Sequence, residues 1–351
     1  MSDNDRVPAR YVESTHQPMK TFIQNLFIML ALLGASTGTR GDTIYVSNVG
    51  TNYVTQFTSE GAGSVFANTG PEPLGVAFDS AGNLYVGMPV SNTIVKFSST
   101  GTSLGVFANS GATPYALAFD STGNLYVADA GDNTIVRITP GGSSSIFANT
   151  GLSYPSGLAF DSAGNLFVAN GVGSYITKFS ATGTNLGVFA GSGGTSPVGL
   201  TFDTAGNLYV ANQSGAIVKI TTNATSSVFA NIGASPFGLA FDSAGNLYVS
   251  YNTPFNFIEK FSSTGTDLGA FASGLSSPGF IAIPNPSTTL RIAAAGNQSV
   301  LFWPTSGTNL ILQSSTNLAS TNWTTVTDAV PVIAFTVTNA SPARFFRLVQ
   351  P

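Results

Sequence analysis

Acidic side chains supply most of the chemistry open to this chain. Asp recurs at Asp79, Asp120, Asp161, Asp203 and Asp242, in steps of 41, 41, 42 and 39 residues. A basic residue recurs with it, at Lys96, Arg137, Lys178, Lys219 and Lys260, always 41 residues apart. Outside this series stand Glu72, Asp129 and Asp132, and Asn48, Asn170 and Asn212 occupy the station of Asp129 in other units. Hard cations such as Ca²⁺ take several oxygens, two or more of them carboxylates. One Asp among a ring of Asn would hold Ca²⁺ weakly, with Glu72 and Asp129 the candidate metal ligands. Thiol and imidazole chemistry is closed. The chain has no Cys, and its single His is His16, in the leader described below. Ser-His-Asp triads, Cys-His dyads and His-ligated zinc are therefore excluded from the mature protein.

The elements that would position these groups are β-strands. Each recurring Asp follows a Phe and opens a turn, Asp-Ser/Thr-Ala/Thr-Gly-Asn, in which Asp accepts backbone hydrogen bonds and Gly supplies a positive φ. A Leu-Tyr/Phe-Val strand follows, as at Leu84-Tyr85-Val86. Next come a strand of the type Ile94-Val95-Lys96-Phe97 and one of the type Val106-Phe107-Ala108. Apolar residues alternate at period 2, and nothing has the 3.6 period of a helix. Charged residues make up 8% of the chain, against about 25% in ordinary globular proteins, while Gly numbers 39 and Phe 26. Short strands joined by tight turns fit that composition. Four strands in about 40 residues, repeated at near-constant spacing, predict an all-β fold of propeller blades.

A propeller must close, since an open ring exposes a sheet edge. The first repeat begins at its second strand, Ile44-Tyr45-Val46, and lacks the Phe-Asp strand before it. Residues 278–284 read Pro-Gly-Phe-Ile-Ala-Ile-Pro and align with Pro155–Asp161. They are expected to supply the inner strand of blade 1. Five whole blades and one composite blade give six. Blade 1 has lost both charged residues, with Gln56 at the basic station and Pro284 at the acidic one. In the other five, each Asp should lie near the basic residue of its own blade, across strand two. A contact repeated within every blade is the plainer reading of that pattern, and a charged ring for a ligand is the other.

The repeat is flanked on both sides. Residues 22–35 form an apolar run after Lys20, followed by Ala35, Ser36, Thr37 and Gly38. A positive flank, a short apolar core and a small-residue exit predict a secretory leader over 1–40, with Met19 a plausible start as well as Met1. The run is short for a membrane span, and a secreted or cell-surface location is expected. The propeller is expected over 41–285. Residues 286–351 read as six short strands in Thr-, Asn- and Ser-rich sequence and predict a small β-sandwich. Trp303 and Trp323 are its large aromatics, as core residues or as a carbohydrate platform.

The blocks Gly-Leu-Ala-Phe-Asp-Ser-Ala-Gly-Asn-Leu-Tyr-Val, followed by Asn-Thr-Ile-Val-Lys/Arg, closely resemble NHL repeats over residues 42–284. The resemblance implies a six-bladed propeller and leaves the activity open. Propellers of this type include binding scaffolds, calcium-dependent lactonases of the gluconolactonase kind, and lyases that use His and zinc. The last are excluded by the absence of His from the expected mature chain.

Two loop sets share one face of such a ring: those joining strands two and three, and those crossing from one blade to the next. They vary most between blades, and variable loops on a rigid scaffold are where binding usually resides. The candidate ligand-binding residues there are Glu72, Asp129, Asp132, Asn48, Asn170, Asn212 and Tyr251. Tyr115, Tyr154, Phe237 and Phe255 should lie near the same face, as a platform or as packing between blades. Asp129 and the Asn series have a second reading, as caps bonding the backbone at the end of strand two. With a net charge of −4 and no basic patch, nucleic acid is not an expected partner. The expected function is a non-enzymatic, monomeric binding or scaffold protein, or a cell-surface adhesin, with a protein or glycan ligand and no cofactor. The alternative is a Ca²⁺-dependent lactonase-like hydrolase with a weak metal site at the channel mouth.

Overall fold

Each repeat folds as four antiparallel strands, because its apolar residues alternate and its turns supply the φ angles and hydrogen bonds that reverse the chain. The computed structural model describes residues 42–252 and 254–284, and the backbone of six further strands between 291 and 349. All these elements are strands. No helix among the described residues is long and apolar enough to cross a membrane.

Six four-stranded sheets form a closed propeller. Blade 2 runs from channel to rim as Val76–Phe78, Leu84–Met88, Thr93–Phe97 and Ser103–Asn109, and blades 3 to 6 repeat that order from Pro114, Pro155, Pro197 and Pro236. Blade 1 takes three strands from Ile44–Asn48, Tyr53–Phe57 and Gly63–Asn68. Its inner strand is Pro278–Ala282, antiparallel to Ile44–Asn48 with Val46 opposite Ile281. The ring therefore closes through the expected composite blade. Beyond it, six strands pair as two three-stranded sheets, one of Arg291–Ala295, Gln298–Phe302 and Ala334–Thr338, the other of Thr324–Thr325, Ile311–Ser315 and Phe345–Val349. The leader expected over 1–40, and Trp303 and Trp323, lie outside the described residues.

The blades are joined by aromatic rings. The second strand of each blade carries a Tyr or Phe that sits between an outer-strand Phe of its own blade and the inner-strand Phe of the next. Tyr85 meets Phe107 at 4.9 Å and Phe119 at 5.0 Å, both edge to face. Tyr45, Tyr126, Phe167 and Tyr209 repeat the triad at 4.7–5.1 Å. At the closing junction Tyr248 meets Phe271, and Ile283 replaces the second Phe. Edge-to-face pairs contribute roughly 0.5–1.5 kcal/mol each beyond the area they bury. The inner strands approach even more closely. A Cβ on Gly157 would lie 2.0 Å from the Val198 carbonyl oxygen of the next blade, and one on Gly199 would lie 2.3 Å from that of Phe237.

The Phe-Asp turns close the opposite face from the variable loops. Asp161 Oδ1 accepts the amides of Ala163 and Asn165 at 3.0 and 2.8 Å, and Oδ2 accepts the Asn165 side-chain amide at 2.8 Å. Burial alone would raise this carboxyl, but the Asn165 bonds and Lys178 outweigh it and hold it below its ordinary value. Lys96, Lys178, Lys219 and Lys260 stand 3.4–3.7 Å from Asp79, Asp161, Asp203 and Asp242. Each ammonium also lies 4.8–5.3 Å from the centre of the strand-two ring of its blade. Arg137 is exposed, and no ion pair joins it to Asp120 among the described residues. These part-exposed pairs are worth at most about 1 kcal/mol each, so the rings rather than the charges hold the blades.

The outer strands alternate. Those of blades 2, 4 and 6 carry an additional Gly at positive φ (Gly105, Gly187, Gly269) and break register twice against the third strand. Those of blades 1, 3 and 5 break it once. The turn between third and outer strand uses Gly61, Gly101, Gly142, Gly183 and Gly265 at φ 83–89° in five blades, and Ala224 at φ 60° in blade 5. A left-handed conformation costs an L-residue roughly 1–2 kcal/mol, part of which a Gly substitution returns as unfolded-chain entropy. Ala224→Gly is expected to raise stability by about 0.5–1 kcal/mol in chemical denaturation; an unchanged or lower midpoint would show that the turn is unstrained.

Candidate functional site

The crossing loops each end in a residue followed by Pro, at the start of the inner strand and so at the channel mouth: Glu72, Thr113, Tyr154, Ser196, Ser235 and Ser277. Five of the six have φ of +46 to +62°, a region that costs an L-residue energy and that a following Pro makes harder to occupy. Neighbouring turns hold them there. The amides of Glu72, Thr113, Tyr154 and Ser277 donate to Oδ1 of Asn52, Asn92, Asn133 and Asn256 at 2.6–3.1 Å. Those Asn residues sit between strands two and three, also at positive φ. The rim thus holds five strained positions, four of them tethered to Asn, with Glu, Thr and Tyr in three blades and Ser in the other three. Strain that the surroundings over-determine is a mark of a functional site.

Beneath the rim the channel is closed by rings. Tyr115 of blade 3 lies 5.8 Å from Phe237 of blade 6, on the opposite side of the propeller, and 5.9 Å from Phe280 of blade 1. Phe237 and Phe280 are 5.2 Å apart. Tyr154, 40% exposed, stands on this floor with its ring 5.8 Å from Tyr115. Burial, and then the neighbouring Tyr154, push the Tyr115 hydroxyl well above the ordinary phenol value. Phe255 is exposed on the turn between strands two and three of blade 6. The loops of this face contain no Lys, Arg or His; Glu72 and Asp132 are its exposed carboxylates.

Most of the ligand residues expected from the sequence lie under the loops. Asn48, Asp129, Asn170, Asn212 and Tyr251 have no exposed surface. Each ends strand two and is covered by the loop crossing into its blade. Asn170 Oδ1 accepts the Ser153 amide at 2.8 Å, and its Nδ2 reaches Thr177 Oγ1 at 3.0 Å. Asn48 Nδ2 donates to Thr55 Oγ1 at 2.9 Å, and Asn212 Nδ2 to the Ser192 carbonyl at 2.9 Å. The Tyr251 hydroxyl donates to Glu259 and its ring stacks on Phe257. Glu72 is exposed on the rim, while Asp129 is buried beneath the Ser110–Thr113 loop, and the carboxylate that acts on it there is Asp132. No group of three or more His, Cys, Asp or Glu side chains suited to a metal occurs among the described residues.

Asp129 differs from its Asn counterparts. Its Oδ2 accepts the Gly111 amide at 2.8 Å, and Asp132 Oδ2 accepts the next amide, Ala112, at 3.0 Å. The Oδ1 of Asp129 is buried without a partner, as are those of Asn48 and Asn212. Burial, and then the Asp132 charge, push the Asp129 carboxyl up to about 7.

Two features of the site escaped the sequence reading. Phe280 aligns with Gly157 and was hidden in a station for small residues. The recurring X-Pro before each inner strand, with Asn at the facing turn, was the available signal for the rim.

No protein-family model matches the chain, and no curated protein sequence does. Solved structures do. The chain is similar to a chain of a nidogen/laminin complex (18% identity, TM-score 0.62, covering 69% of this chain and 97% of that one). It is similar to a protein of unknown function from Bacteroides caccae (16%, 0.55, 69% and 98%). It is also similar to a gluconolactonase from Xanthomonas campestris (19%, 0.52, 60% and 79%). At these identities the likeness is one of fold, a six-bladed propeller.

Two measurements test this site. A carboxyl raised from 3.8 to about 7 binds its proton more tightly in the folded state, so its contribution to stability is full below about pH 4 and is lost as pH rises to about 7. The stability of Asp129→Asn relative to the wild type should therefore grow across that window, by up to about 1.4 kcal/mol per pH unit, and stay level above it. A difference that is constant with pH would place the proton elsewhere. Phe237→Ala should cost roughly 3–5 kcal/mol and Tyr154→Ala less than about 1 kcal/mol; equal costs would remove the distinction between a packed floor and an available ring.

Proposed function

We propose that this protein is a secreted, non-enzymatic binding protein of the NHL-repeat type, whose glycan or protein ligand seats on the channel mouth. The observation that carries this reading is the rim, where Glu72, Thr113, Tyr154, Ser196 and Ser277 stand at positive φ and four of them are tethered to Asn, above a floor of Tyr115, Phe237 and Phe280. Tyr154 offers the ligand a fixed aromatic face, and two or three rotatable bonds fewer than a Lys or Arg would cost on ordering. The loops carry carboxylates without cations, which favours neutral or positively charged ligand groups over anionic ones. The lactonase reading has the propeller fold in its favour, but Asp129 is engaged with the Gly111 amide and is covered.

A screen of the mature protein against glycan and extracellular-protein arrays tests the proposal. A ligand should be found whose affinity falls at least about tenfold in Tyr154→Ala, a loss of about 1.4 kcal/mol. Calorimetric titration with Ca²⁺ should give no heat at the mouth. Full affinity in Tyr154→Ala would move the ligand off this face. Ca²⁺ heat that disappears in Asp129→Ala would revive the metal-dependent hydrolase.

A further inference from the structure

The loop Ser110–Thr113 is stitched to the turn at 129–132 in both directions. The Gly111 and Ala112 amides donate to Asp129 and Asp132, and the Ala130 and Gly131 amides donate to the carbonyls of Thr113 and Ala112, each at 3.1 Å. This loop ends in the rim residue Thr113 and leads through Pro114 into Tyr115 of the floor. Its two acidic acceptors crowd one point, since a Cβ on Gly111 would lie 2.9 Å from Asp129 Oδ2 and 2.7 Å from Asp132 Oδ2. No cation compensates them. The turn contributes Asp132, the crossing loop nothing ionisable, and the neighbouring turn Met88–Thr93 nothing ionisable. Arg137, on the third strand of the same blade, is exposed at the Tyr126 level, near the other face. At the matching station of the next blade, neutral Asn170 holds the Ser153 amide.

We infer that Asp129 is a proton-operated latch on this side of the channel mouth: protonated, it keeps the Ser110–Thr113 loop seated; ionised beside Asp132, it unseats the loop. The inference concerns regulation of the mouth and so rests on the binding reading for its purpose, but its geometry stands independently. Two buried or half-covered like charges repel, and the buried one also lacks water. Relief comes when the loop lifts and hydrates Asp129, which frees the Gly111 and Ala112 amides together.

Residue-resolved amide hydrogen exchange on the full chain between pH 6 and 8, corrected for intrinsic rates, tests this without any ligand. Across that range a carboxyl titrating near 7 goes from about one-tenth to about nine-tenths ionised. Protection of Ala112 should therefore fall about tenfold, while that of Ser153 stays level. In Asp129→Asn, which installs the residue native to three other blades, the fall should vanish. In Asp132→Asn the fall should move to lower pH, because the repelling charge is gone. Constant protection at Ala112 in the wild type, or an unchanged fall in Asp129→Asn, would overturn the latch. Neither result bears on whether a ligand binds, which the array screen decides separately.

Discussion

The edge-to-face contact of one strand-two ring with two Phe residues is the interaction on which the rest of this propeller depends. It recurs at every blade junction, complete at five and with Ile283 in place of one Phe at the sixth. Because the second Phe belongs to the next blade, the ring spacing sets how far apart blades stand. That spacing brings inner strands so close that Gly157 and Gly199 admit no side chain. It also makes the channel narrow enough for Tyr115 and Phe237 to meet across it. A propeller with bulkier wedges would have a wider channel and no floor. The high Phe content therefore reflects an architectural need.

The low charge density of the molecule follows from the same arrangement. With blades held by rings and turns held by Asp-to-amide bonds, few charges are required, and those present are mostly confined to the face opposite the rim. Lys96 and its counterparts rest over aromatic faces beside the turn Asp. The mouth is left to Asn, Ser, Thr and aromatic side chains. These can bind by stacking and hydrogen bonding, and beside them stand the exposed carboxylates Glu72 and Asp132.

Much of this fold could be read from the residues. The Phe-Asp recurrence marked the blades, and the alignment of Pro278–Pro284 with Pro155–Asp161 located the closing strand, because a repeat makes a missing piece visible. The site was read less well, for physical reasons. Register identified Asn48, Asp129, Asn170 and Asn212 as the ends of strand two, but spacing does not say whether a loop lies beside such a residue or over it. The rim was hidden because a positive φ at Glu72 or Tyr154 is imposed by an Asn some 20 residues earlier, across a turn. Phe280 was hidden because the composite blade alone puts a large ring where the others need Gly or Ala.

The alternation of the outer strands has a consequence for how the ring was built. Single-bulge and double-bulge blades succeed one another three times, so the outer-strand pattern repeats by pairs of blades. From Lys96 to Lys178 that pair spans 82 residues, two steps of 41. Each pair buries one junction internally and presents one complementary junction at either end, which is the arrangement of a subunit in a three-membered ring. The single chain is then a covalent trimer of blade pairs. The composite first blade places the splice inside a sheet, where three ladders of backbone bonds run through it, and not at a seam between subunits that could open.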